Sequence, residues 1–164
     1  MPKRVWNACR MRRRKSPGQV TDLLFVYGTL RVGFENAFAR RLHLEAEYLG
    51  AAVAAGGVLV DLGWYPGFVP VANERATVRG DLFRLPANGK LLSLLDEYEG
   101  CSGNPANPEE YRRERRQVRR GNAGSETALI YILNRPAGNF PVVPDGDYLA
   151  YQRSKQRGPD LRAD

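Results

Sequence analysis

Leu23-Leu24-Phe25-Val26-Tyr27, closed by Gly28-Thr29-Leu30-Arg31, reads as a strand buried on both faces that runs into a glycine turn. A continuous apolar run of this length leaves no residue for a solvated face. Such a strand needs partners on either side, so the rest of the chain must supply a sheet. From Phe34 to Leu49 apolar residues recur as Phe34, Ala37, Phe38, Leu42 and Leu49 among Glu and Arg, a helical spacing closed by Gly50. Val53 to Leu62 and Gly67 to Val71 read as strands around the turn-rich Gly63-Trp64-Tyr65-Pro66-Gly67, and Val78 to Leu85 alternates as a half-buried strand. A second helix is predicted over Lys90 to Glu99, with Gly100 as its stop. After a Gly-, Asn- and Pro-rich loop from Cys101 to Glu110, Tyr111 to Arg120 should pair with Thr127 to Leu133 as a hairpin across Gly121-Asn122-Ala123-Gly124. Six or seven strands with two helices in no regular βαβ order predict an α+β fold on an antiparallel or mixed sheet able to curl into a barrel.

The 164 residues, 43% hydrophobic and 26% charged, suit one globular domain with a sizeable core. No apolar run approaches the roughly 18 residues of a membrane span, so a soluble protein is expected. The formal charge of +7 is unevenly placed: residues 1–20 hold Lys3, Arg4, Arg10, Arg12, Arg13, Arg14 and Lys15 and no acid. The remaining chain is balanced at 18 basic and 18 acidic residues. Residues 1–20 therefore read as a disordered basic arm, 21–151 as the domain and 152–164 as a polar tail that frays after Tyr151. The arm is either an organellar transit segment or an extended start ahead of Met11; it lacks the apolar centre of a secretory signal. Cys9 and Cys101 lie in different contexts and signal neither a disulfide framework nor zinc, which makes the cytoplasm the expected compartment. Nucleic acid is not expected as a partner, because Arg112, Arg113, Arg115, Arg116, Arg119 and Arg120 are interleaved with or flanked by Glu109, Glu110 and Glu114 and have no stacking aromatics beyond Tyr111.

H-E-x-x-H, C-x-x-C, P-loop and G-x-S-x-G patterns are all missing, and the single histidine, His43, sits among Leu42, Leu44 and arginines as a structural residue would. Acid–base chemistry must then come from a carboxylate, a tyrosine or a lysine. On the second helix Leu91, Leu92, Leu94, Leu95 and Tyr98 span one arc at about 100° per residue; Ser93 and Glu97 point away and Asp96 lies just outside. Glu99 falls inside that arc, in the last turn, where burial and the helix dipole both raise a carboxyl pKa. The alternative is a Glu99 that frays outward or pairs with an arginine of Arg112 to Arg116. The Gly28-Thr29-Leu30 turn offers successive N–H groups that can converge on a carboxylate or an oxyanion, or it is a plain turn. Arg31 either adds positive charge there or is a solvated surface residue.

With these residues in view the chain resembles the gamma-glutamylcyclotransferase-like superfamily, which includes AIG2-like proteins and gamma-glutamylamine cyclotransferases. FVYGTLRVGFEN, YPGFVP, VRGDLFRL, LLDEYEG, EYRRERRQV, ALIYIL and GDYLAY carry the resemblance over about residues 23–151. It implies a small mixed, mostly antiparallel β-barrel flanked by two helices, with Tyr27, Gly28, Thr29 and Leu30 at the mouth of a cavity and Glu99 as catalytic acid/base. Tyr111 and Arg113 look like the family's Y-x-R pair, placed either to touch substrate or to support the loop; Asp96 and Glu97 are given structural or surface roles. The implied activity is an acyl transfer in which the α-amine of a small gamma-glutamyl substrate attacks its own γ-carbonyl and releases 5-oxoproline and an amine, without metal or cofactor. The alternative is a non-catalytic module that holds a small anionic metabolite in the same cavity. Ala37-Phe38 departs from the histidine or other polar residue expected after the asparagine. The oligomeric state has no signal in the sequence.

Overall fold

The computed structural model describes residues 21–101 and 109–158; the basic arm of 1–20 lies outside them. Strands β1 (Leu23–Val26), β2 (Glu47–Ala55), β5 (Thr77–Arg84), β6 (Tyr111–Arg119) and β7 (Ser125–Leu133) close a barrel in the order β1-β5-β2-β6-β7. Every pairing is antiparallel except the closing one, where β1 meets β7 in parallel at Leu24 and Leu129. β3 (Gly57–Asp61) and β4 (Pro66–Pro70) form a separate two-stranded sheet. Helices α1 (Ala37–Glu45), α2 (Lys90–Tyr98) and α3 (Tyr148–Arg157) complete the fold, with a 3-10 turn at Pro144–Gly146 before α3. The small mixed barrel with helices is the architecture expected.

Its buried residues fall into two groups. One draws on all five barrel strands through Phe25, Ala54, Leu82, Val118 and Ile130 and is joined by Phe68 of β4. The other packs Leu42 of α1 and Leu91 and Leu95 of α2 against Leu24, Phe83 and Leu129. β1 contributes to both groups, which is why its sequence has no polar face.

Several boundaries differ from expectation, each for a tertiary reason. The helix predicted from Phe34 to Leu49 stops at Glu45, and Glu47 to Leu49 belong to β2, paired with Arg84 and Phe83 of β5. The apolar stretch from Val53 to Leu62 splits at Gly56, whose φ of 74° turns β2 into β3. Val78 to Leu85 is not half-solvated: Asp81, Leu82 and Phe83 are all buried, and His43 of α1 stacks on Phe83 with ring centres 5.5 Å apart. The third helix is one more than expected. It carries the chain past Tyr151 to Arg157 where a fraying tail was predicted, capped by the Asp147 carboxylate, which accepts from the Ala150 N–H at 3.2 Å. Tyr151 and Lys155 of α3 both bond Asp61 at the end of β3. Among the described residues no helix is long and apolar enough to cross a membrane.

Candidate active site

The end of β1 and the end of α2 meet at one pocket. Tyr27, Gly28, Thr29 and Leu30 line it on the β1 side, Glu99 on the α2 side, Tyr65 from the β3–β4 turn, Pro66 from the start of β4, and Tyr111 and Tyr131 from β6 and β7. The chain turns at Gly28, with Arg31 N–H donating to the Gly28 carbonyl at 3.1 Å. Asn36 holds that turn: its Nδ2 donates to the Thr29 carbonyl at 2.7 Å, while its Oδ1 caps α1 by accepting from Ala39 N–H at 2.9 Å. Among the described residues the Thr29 and Leu30 amides donate to no acceptor, so they are available to a ligand oxygen. Gly28 is required here by a close approach, since a Cβ on it would stand 2.8 Å from Pro66 Cγ. Its φ is not in the left-handed region, so conformational freedom is not the reason for glycine.

Glu99 is the residue at which α2 ends. Its N–H still donates to Leu95 O at 2.9 Å, and Gly100 follows at φ 64°, the left-handed conformation that stops a helix. The side chain lies against the pocket with partial solvent access, and among the described residues no donor reaches its carboxyl. No Lys or Arg lines the pocket among those residues. Burial, and secondarily the negative charge of Glu110, push the Glu99 carboxyl up to about 8. It neither frays outward nor pairs with Arg112 to Arg116. Tyr98, assigned by the wheel to the same buried arc, is instead 39% exposed and stacks on Phe38 at 4.1 Å.

The surrounding tyrosines are fixed by their hydroxyls. Tyr27 OH donates to Tyr131 O at 2.6 Å and accepts from Phe68 N–H at 3.3 Å, and Tyr111 OH donates to Pro66 O at 2.7 Å. Tyr131 OH donates to Asp96 at 2.8 Å, and Tyr65 OH to Glu110 at 2.7 Å. Burial, then the negative charge of Glu99, raises the Tyr27 hydroxyl; burial raises Tyr111 and Tyr131; the bond to Glu110 raises Tyr65. All four remain O–H donors at neutral pH.

Arg113 is the candidate that the geometry sets apart. It is exposed and ion-paired with Asp96, the half-buried acid that also receives Tyr131, and it does not line the pocket. Arg31 is neither a charge for the turn nor a surface residue: it is buried, 3.0 Å from Asp147 and 3.5 Å from Asp81. His43 Nε2 lies 3.0 Å from Leu30 O, a structural contact behind the turn. Tyr65, Pro66, Tyr131 and Glu110 were not singled out in the sequence. YPGFVP and ALIYIL contained three of them as turn and strand residues, with no local sign of what they would face. Among the described residues no three His, Cys, Asp or Glu side chains gather as metal ligands.

A closed mixed barrel, with a glycine turn at the end of its first strand facing a helix-terminal carboxyl, defines the gamma-glutamylcyclotransferase-like class of small α+β barrels. The chain belongs to the family described as gamma-glutamyl cyclotransferase, AIG2-like, whose model matches residues 24–150. No curated protein matches it by sequence. Among solved structures it is similar to ytfP from Escherichia coli at 31% identity, covering 79% of this chain and 98% of that one, with a TM-score of 0.54. It is also similar to an AIG2-like protein from Mus musculus at 22% identity, covering 78% of this chain and 88% of the mouse chain, with a TM-score of 0.59. YkqA from Bacillus subtilis is 23% identical with a TM-score of 0.64; the match covers 84% of this chain but only 43% of YkqA. The last two likenesses are of fold.

Proposed function

We propose that this protein is an enzyme that releases 5-oxoproline and an amine from a small gamma-glutamyl compound, with Glu99 as its acid/base. The observation that carries this reading is a carboxyl whose proton is held to about 8, in a pocket that has no cation and beside a turn whose Thr29 and Leu30 amides have no acceptor, both among the described residues. Bound with its chain folded, the substrate brings its α-amine to its γ-carbonyl and gains the advantage of an intramolecular reaction. Glu99 in its ionised form takes a proton from the α-ammonium; the freed nitrogen forms a bond to the γ-carbon, and the carbonyl oxygen gathers negative charge. The Thr29 and Leu30 amides suit that oxyanion or the substrate's α-carboxylate. Glu99 then returns the proton to the amide nitrogen as its bond to carbon breaks, and the extra proton left on the ring nitrogen passes to the departing amine, so 5-oxoproline and an ammonium leave and the enzyme regains its ionised starting state.

The test is incubation with a panel of gamma-glutamyl amines, gamma-glutamyl amino acids and glutathione, with 5-oxoproline followed by mass spectrometry. Turnover is expected with at least one class, with kcat/KM rising toward a limb near pH 8. Absence of 5-oxoproline with every class would remove the proposal. One observation favours the second reading, a non-catalytic holder of a small anionic metabolite: the cavity measures about 30 Å³, room for a water or a ligand's terminal atoms. Tight binding of 5-oxoproline or glutamate by a protein that turns nothing over would establish it.

A further inference from the structure

The chemistry above leaves Glu110 without a task, although it holds Tyr65, a residue of the pocket. It lies where the Cys101–Glu110 loop re-enters the barrel, and its carbonyl accepts from Asn134 N–H at 2.8 Å. Its Oε1 accepts from Tyr65 OH at 2.7 Å and from Arg135 at 3.2 Å. A Cβ placed on Gly100, the residue next to Glu99, would come to 3.8 Å from the Glu110 Cβ, so the two chain segments run near one another. Tyr65 is a wall of the pocket, and the following Pro66 closes on Gly28 while its carbonyl takes the Tyr111 hydroxyl. One side chain thus joins the tip of the β3–β4 turn to the start of β6 and to Arg135 beyond β7.

We propose that Glu110 is a positioning carboxylate of this site, which latches the β3–β4 turn across the pocket through Tyr65 and so sets a second negative charge behind the pocket wall. This rests on the reading of Glu99 as the working group. The titratable groups that line the pocket with Glu99 are Tyr27 at the end of β1, Tyr65 from the turn, Tyr111 from β6 and Tyr131 from β7; Glu110 stands behind Tyr65, near enough for its charge to act on Glu99. Arg135 touches Glu110 from beyond β7, and Arg113 is taken up by Asp96. Removing a like charge from beside a buried carboxyl lets it ionise at lower pH.

Two near-isosteric variants separate the two effects. Glu110→Gln keeps an oxygen for the Tyr65 hydroxyl and loses the charge. The Glu99 midpoint, read by carbon-13 NMR of the side-chain carboxyls and assigned by its disappearance in Glu99→Gln, should fall by about one pH unit, and the rising limb of kcat/KM should move with it. Tyr65→Phe keeps both carboxylates and loses the latch. It should leave the Glu99 midpoint in place while amide exchange at Leu62 and Gly63 speeds about tenfold, the loss of one hydrogen bond to a charged group. A Glu99 midpoint unmoved in Glu110→Gln, or exchange unchanged in Tyr65→Phe, overturns the proposal. Neither readout requires turnover, so a protein that releases no 5-oxoproline would count against the cyclotransferase reading and leave this test decisive.

Discussion

Asp61 and Glu99 are both carboxyl-bearing residues at the end of a secondary-structure element, and the molecule treats them in opposite ways. At the β3–α3 seam Asp61 accepts from Gly63 N–H at 2.8 Å, from Tyr151 OH at 2.8 Å and from Lys155. Burial pushes its pKa up, but those three donors outweigh burial and hold the carboxyl below its ordinary value. At the pocket Glu99 is given tyrosine neighbours whose hydroxyls are all committed elsewhere, and its pKa goes up instead. A satisfied buried carboxylate ties elements together; an unsatisfied one is costly to keep and stands ready to exchange a proton.

The largest effect that can break this contrast is on turnover. Glu99→Gln should keep the fold and ligand affinity while 5-oxoproline release falls by about two to four orders of magnitude, the usual share of one general acid/base. Glu97→Gln, exposed on the same helix, should be nearly silent, and equal rates in the two variants would sink the assignment. Asp61→Asn should do the reverse. It should cost about 1.5–3 kcal/mol of stability, a fall in Tm of about 5 °C or more for a domain of this size, with kcat/KM little changed. If Asp61→Asn lost turnover without losing stability, the division between the two regions would be false.

Titration of stability sharpens the same comparison with a smaller signal. Glu99 has a folded pKa raised to about 8 from 4.5, so its contribution is fully present below about 4.5 and is lost as pH rises through about 8. Asp61 has a lowered folded pKa, so its contribution is present above the ordinary carboxylate value and is lost as pH falls through the depressed one. Thermal melts should show Tm declining between about pH 5 and about pH 8 in the parent and levelling above that, and the decline should flatten in Glu99→Gln and persist in Asp61→Asn. The smallest effect is expected at Arg113. Its pair with Asp96 is partly solvated, so Arg113→Gln should change stability by less than about 1 kcal/mol and kcat/KM by less than about threefold; a large rise in KM would place it on the substrate after all.

What the sequence made legible follows the range of the forces involved. β1, the β6–β7 hairpin and α2 declare themselves because their apolar spacing is local, and Glu99 emerges because a carboxyl interrupts that spacing at a helix end. β2 was hidden because Glu47-Tyr48-Leu49 continues the rhythm of α1, and only pairing with β5 ends the helix at Glu45. α3 was missed for a different reason. Its sequence is mostly polar, and what holds it is distant in the chain: Asp61 on Tyr151 and Lys155, and Arg31 on the capping Asp147. Tyr65, Tyr131 and Glu110 enter the site through barrel closure and strand register, and no local pattern distinguishes a strand tyrosine that faces a carboxyl from one that faces the core.

The separate anchoring of Gly100 and Glu110 has a consequence for how such a protein can be altered. Gly100 is held by the end of α2 and Glu110 by the bond from Asn134, each by the domain itself. The length of chain between them can therefore change without moving Glu99, and doubling it costs only about 0.6 kcal/mol in closure entropy. Segments exchanged between these two residues would leave the Glu99 carboxyl in place, which makes this the position at which a library of inserted sequences should be built.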